Sequence, residues 1–191
     1  MMRCVVVAHH ARRAQAEALA RSLDAHLCMD EHGHGATWNH RRALEWAQQQ
    51  PERVVVLEDD ALPVDGFRDR AAAFLADFPD DLVSLYLGTG RPVDWQAEIA
   101  IRLGHSLARR QRHITLRPLL HAVCYSIPRD GIARVIGLPL TRQVDFSIGD
   151  HWGQRIVYAV PSLVEHTDGP CVERHHDGQP RLERRRAWLL G

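Results

Sequence analysis

Apolar residues in this chain are gathered into short solid blocks. RCVVVA at residues 3–8, RVVVL at 53–57, LVSLYL at 82–87, HAVCYSI at 121–127 and IVYAV at 156–160 are such blocks. Runs of this kind, rich in β-branched side chains and closed by polar or turn-forming residues, predict strands buried on both faces. Residues 26–29 predict a further strand that ends at Asp30. The alanine-rich stretch 13–23 predicts a helix, as do 39–49 with Asn39 as N-cap, 66–78 and 97–111. Shorter helices are expected at 129–136 and 146–154, and Pro51, Pro128 and Pro161 punctuate the pattern. Strand and helix alternate over the first half, which predicts an α/β sandwich with a largely parallel sheet. Shorter mixed elements in the second half predict added strands of mixed direction. The expected organisation is one domain over residues 1–169 and an arginine-rich tail over 170–191.

Composition narrows the function. With 191 residues and 45% hydrophobic content, the chain suits a single folded domain. No apolar run approaches the ~18–20 residues of a membrane-spanning helix. The first apolar run is too short for a signal-peptide core and basic residues follow it, so a cytoplasmic protein is expected. Basic and acidic residues balance at 24 each, which argues against broad non-specific nucleic-acid binding. Every basic residue is arginine, so Schiff-base, PLP-attachment and Walker A chemistry, all of which need lysine, are excluded. Cys4, Cys28, Cys124 and Cys171 form no CxxC pair, and a zinc ribbon, thioredoxin-type chemistry and a disulfide scaffold are disfavoured.

Glu58, Asp59 and Asp60 follow the RVVVL strand directly. In open α/β sheets, ligands bind outside the carboxyl ends of the strands. Adjacent carboxylates repel one another, and a hard divalent cation such as Mg²⁺ or Mn²⁺ supplies the missing positive charge. A solvated acidic turn is the alternative reading of the same three residues. His32 and His34 have HxH spacing but no nearby cysteine, and they read as loop residues more than as a zinc site. Arg109, Arg110, Arg112 and Arg117 form the strongest local basic patch, either a solvated face or a guide for an anionic acceptor.

GATWNHRRALEWA followed by VVVLEDDALPVDGF, then HAVCYSIPRDGIARVI, QVDFSIGDHWG and YAVPSLVEH, together resemble glycosyltransferase family 25, the lipopolysaccharide-biosynthesis and collagen-galactosyltransferase type. The helix pair here is Asn39-His40, where that family has Ser-His or a similar pair. The resemblance implies a GT-A-like, Rossmann-like fold: a mixed, mostly parallel sheet flanked by helices. It also implies a metal-dependent glycosyltransferase taking a nucleotide-sugar donor, a UDP-sugar first, with Mn²⁺ or Mg²⁺. Asp60, Glu58 and His166 would then hold the metal, with Glu58 or Asp59 touching the ribose or a metal-bound water. His9, Arg12, Asp30 and Arg91 are the further donor-binding candidates, and His10 lies beside them. Inverting transfer needs a carboxylate base. Asp145 and Asp150 are the two candidates, and their spacing on a helix turns only one of them towards a site. Trp38, Trp95 and Trp152 are candidate stacking residues or packing residues. The acceptor is a glycan or a hydroxylated nucleobase in DNA, and the oligomeric state is left open. Two other readings compete: a metal-dependent phosphohydrolase or nucleotidyltransferase, and an inactive glycan- or nucleic-acid-binding module.

Overall fold

The computed structural model describes residues 2–137, 139, 141–167, 172 and 184–191. Among these residues, the predicted strand blocks form most of a seven-stranded sheet. Its strands are β1 (Arg3–His9), β2 (His26–Asp30), β3 (Val54–Glu58), β5 (Val83–Ser84), β6 (His113–Leu116), β7 (Cys124–Ser126) and β8 (Ile156–Ala159). The sheet order is β2-β1-β3-β7-β5-β8-β6. Pairing directions set five strands parallel to one another and reverse β7 and β6. The expected Rossmann-like, mostly parallel mixed sheet is therefore present. A second, two-stranded ribbon pairs β4 (Ala61–Pro63) with β9 (Val164–His166) in antiparallel fashion.

Period-two alternation sorts the buried strand residues onto two faces. Val5, Val7, Val54 and Val56 pack on one face with α2 (Ala36–Gln48), α4 (Val93–Ala108), α5 (Arg129–Ile136) and α6 (Val144–Trp152). Cys4, Val6, Ala8, Val55 and Leu57 pack on the other with α1 (Arg13–Leu23) and α3 (Phe67–Ala76). The result is a three-layer sandwich. Because α1 and α2 lie on opposite faces, the strand order reverses at β1, and a crevice opens there at the strand carboxyl ends.

Several boundaries differ from the sequence expectation. Helix α2 begins at Ala36, so Asn39 is inside it and is not its N-cap. The buried Asn39 amide donates to the carbonyls of Ala8 and Cys28, tying β1 to β2. Helix α6 begins at Val144 with Gln143 as N-cap, which places Asp145 in the first turn. Residues 82–87 are buried throughout, yet only Val83–Ser84 pair as strand. Strands β4, β6 and β9 have no counterpart in the sequence expectation.

The segment 184–191 is not a detached tail. Trp188 N–H donates to the Leu87 carbonyl, Thr89 N–H to that of Arg186, and Ser162 N–H to that of Leu189. The Trp188 indole also donates to Gln96. The rest of the expected tail, Cys171 included, lies outside the described residues apart from Val172. No helix is long and apolar enough to cross a membrane, among the described residues.

Candidate active site

A cavity of about 550 Å³ opens at the carboxyl ends of β1, β2 and β3, a volume in the ordinary range for small-molecule sites. His9, Asp30, Glu58, Asp59, Asp60, Arg12, Arg91 and Asp145 all line it. Of the metal, donor and base candidates, the structure thus brings these eight together and leaves His10, His166 and Asp150 out of the lining, and His166 touches it through Asp60.

The acidic triplet divides. Glu58 lies on the α2 face of β3, where His40 Nε2 is 3.3 Å from its Oε1. His40 Nδ1 lies 3.0 Å from the Tyr125 hydroxyl, so this imidazole is fixed between two groups. Asp59 and Asp60 turn towards the short 3₁₀ segment His10–Arg12 that follows β1. Asp59 accepts from His9 N–H at 2.9 Å. Arg12 Nη1 donates to Asp59 Oδ1 at 2.8 Å and to Asp60 Oδ2 at 2.6 Å. Burial lifts Asp59 above the ordinary carboxylate range despite the His9 and Arg12 contacts. Burial also acts upwards on Asp60, but His166 and Arg12 hold it below its ordinary value.

Asp60 and His166 meet because the β4–β9 ribbon pairs Ala61 with His166, and Thr167 N–H donates to the Asp60 carbonyl. His166 Nε2 is 3.3 Å from Asp60 Oδ2. Among the described residues, Asp60 Oδ1 and His166 Nδ1 are buried with no hydrogen-bond partner. The described residues present no group of three His, Cys, Asp or Glu arranged around a single point. Glu58 is accordingly not gathered with Asp60 and His166. A carboxylate and an imidazole, with an orphaned carboxylate oxygen, fit a cation that also takes oxygens from a bound phosphate. A carboxylate together with phosphate oxygens is the usual way in which Mg²⁺ is held, whereas an imidazole suits a transition metal better.

Asp30 lines the cavity, but its carboxylate is already engaged. Its oxygens accept from His32 N–H at 3.2 Å and Gly35 N–H at 2.8 Å. Burial raises its pKa, and the backbone donors of residues 32–35 overcome that and leave it low. Gly33 and Gly35 have positive φ of 71° and 98°, which lets the loop wrap around the carboxylate. Asp30→Ala would remove two hydrogen bonds from part-buried amides to a charged acceptor and is expected to destabilise the fold by about 1–3 kcal/mol in urea denaturation. An unchanged midpoint would show that the loop holds without it.

Asp145 and Asp150 separate as helix geometry requires, five residues placing them about 140° apart. Asp145 lines the cavity, whereas Asp150 is exposed and pairs with Arg142 at 2.9 Å. Burial pushes the Asp145 carboxyl up to about 7, the Phe146 N–H lowers it, and the Glu58 charge raises it further. Trp152 is core, Trp95 packs against the core, and Trp38 is partly exposed under the Arg42 guanidinium, outside the cavity lining. None of Arg109, Arg110, Arg112 and Arg117 lines the cavity. His32 and His34 pack edge to face within the Asp30 loop.

His121, Gln143 and Arg185 line the cavity and were not among the sequence candidates. His121 Nε2 lies 2.8 Å from the Arg91 carbonyl. A carbonyl only accepts, so Nε2 carries the proton and Nδ1 keeps its lone pair. Burial pushes this imidazole down to about 4, with His166 and Arg185 adding to the effect, so it is neutral at pH 7. Its Nδ1 is buried without a partner among the described residues. His121 precedes a reversed strand, and it is the start of such a strand that faces the carboxyl ends of its parallel neighbours.

No protein-family model and no curated protein matches the chain. Among solved structures it is similar to A197 from STIV, with 16% identity and a TM-score of 0.59, over 88% of this chain and 87% of that one. At that identity the similarity establishes the fold alone.

Proposed function

We propose that this chain is a metal-dependent glycosyltransferase that moves a sugar from a nucleotide-sugar donor, a UDP-sugar first, to an acceptor hydroxyl. One observation carries the reading: Asp60 and His166, distant in sequence, meet at a strand-end cavity that Asp145 also lines. Asp60 and His166 would hold the cation, with Arg12 and Arg91 facing the donor diphosphate. The cation, when bound, neutralises charge on the departing diphosphate. Asp145 takes the proton of the acceptor hydroxyl as that oxygen attacks the anomeric carbon, which is inverting chemistry. A base with a pKa near 7 suits this task at neutral pH. A glycan acceptor is favoured over modified DNA, because the arginine patch lies away from the cavity lining.

A phosphohydrolase or nucleotidyltransferase reading would want more carboxylates around the triplet. Here Arg12 neutralises the acidic pair and Glu58 turns away. The test is a donor-hydrolysis screen across UDP-, GDP- and CMP-sugars with and without Mn²⁺. Mn²⁺-dependent release of nucleotide from one donor class is expected. Silence across all donors would leave a binding module.

A further inference from the structure

The acidic pair carries its own cation. A single nitrogen, Arg12 Nη1, bridges Asp59 and Asp60, and the three side chains are only 13%, 6% and 7% exposed. Asp60 Oδ2 is shared between that guanidinium and His166 Nε2. A divalent ion arriving alone at Asp60 would therefore stand within a few ångströms of a resident positive charge, in surroundings that screen poorly. It would also find only two protein groups to hold it, with no third ligand among the described residues. An anion that arrives with the ion changes both conditions. Its oxygens complete the coordination, and its charge gives the guanidinium a new partner. Arg12 lies on the short turn after β1 and lines the cavity in which such an anion would sit.

We infer that Arg12 is a resident counter-cation: it holds the acidic pair closed to a divalent ion alone and opens it when a nucleoside diphosphate takes over the guanidinium. This rests on the donor reading above. It makes ion and nucleotide binding mutually dependent, each raising the affinity of the other by the same factor.

The distinguishing experiment is calorimetry with MnCl₂ alone, UDP alone and both together, on wild type, Arg12→Gln and Arg12→Lys. Wild type is expected to bind Mn²⁺ weakly alone and at least about tenfold more tightly with UDP. Arg12→Gln, which keeps bulk and loses charge, is expected to bind Mn²⁺ alone about tenfold more tightly than wild type, with the UDP effect reduced. Arg12→Lys keeps the charge and is expected to stay near wild type for Mn²⁺ alone. A residue that merely shaped the site would give the opposite sign, weaker Mn²⁺ binding in Arg12→Gln. Equal or weaker binding in that variant, including no binding by either protein, overturns the inference. If wild type binds no UDP under any condition, the donor reading falls, and the Mn²⁺-alone comparison still decides the role of Arg12. Should Arg12→Gln not fold, the wild-type guanidinium resonance of Arg12, assigned by its loss in Arg12→Lys, replaces it. It is expected to shift with Mg²⁺ and UDP together and to stay in place with Mg²⁺ alone. A shift with Mg²⁺ alone overturns the inference.

Discussion

Asp60→Asn is expected to remove the Mn²⁺ dependence of nucleotide binding and to lower sugar transfer by about 10²–10³-fold, the range for losing one preorganised electrostatic contact. The substitution keeps the shape of the side chain and removes its charge. Arg12 still has Asp59, and the backbone pairing of β4 with β9 does not involve the carboxylate, so the variant is expected to stay folded. His166→Ala is expected to act in the same direction and more weakly, because it removes the imidazole beside Asp60 and leaves the carboxylate. Calorimetry of UDP with and without Mn²⁺ and a transfer assay read both effects. Wild-type turnover in Asp60→Asn, or equal UDP affinity with and without Mn²⁺ in wild type, would remove Asp60 from the metal site.

The long apolar blocks made the central sheet legible, because burial on both faces leaves a continuous run in the sequence. The acidic triplet stood out for the related reason that such a run ends abruptly in charge. How its three carboxylates divide did not. Consecutive residues after a strand point in different directions, and only the fold sends Glu58 to His40 while Asp59 and Asp60 go to Arg12. The β4–β9 ribbon was invisible because ALP and VEH are too short to carry any periodicity, although it is what seats His166 beside Asp60. Asn39 misleads for another reason. A polar residue at the start of a helix pattern reads as a cap, yet here the N-cap position is Gly35 and Asn39 satisfies two strand carbonyls. His121 was missed because strand direction is not written in composition. A parallel β7 would have carried it to the opposite end of the sheet. The segment 184–191 reads as the end of an arginine-rich tail, while its attachment is mostly backbone hydrogen bonding, to which side-chain pattern is blind.

Asp145→Asn is expected to lower turnover by about 10²–10⁴-fold, the usual worth of a positioned general base, with Mn²⁺-dependent nucleotide affinity unchanged. The two functions separate because Asp145 approaches the cavity from α6, whereas the acidic pair comes from the end of β3. Asp150→Asn is the matched control. Its carboxylate is exposed and paired with Arg142, and transfer is expected to stay at the wild-type rate. A pH profile gives a second, independent reading. The wild-type rate should rise with pH as Asp145 ionises near 7, and the asparagine variant should lose that limb. Stability should move the other way. Burial raises the Asp145 pKa from 3.8 to about 7 in the folded chain. Below 3.8 both states are protonated and the carboxyl costs nothing. As pH rises towards about 7 the unfolded chain gives up the proton first, and the folded state loses ground until both are ionised. Asp145→Asn carries no such charge, so its melting temperature should match wild type at about pH 4 and exceed it at about pH 8. Glu58 and His40 face Asp145 in both proteins, and the Glu58 charge is part of what raises the Asp145 pKa in wild type. Full transfer activity in Asp145→Asn, or loss of nucleotide affinity in step with turnover, would move the base elsewhere. Equal melting temperatures at both pH values would show that Asp145 ionises in the folded chain as it does in water.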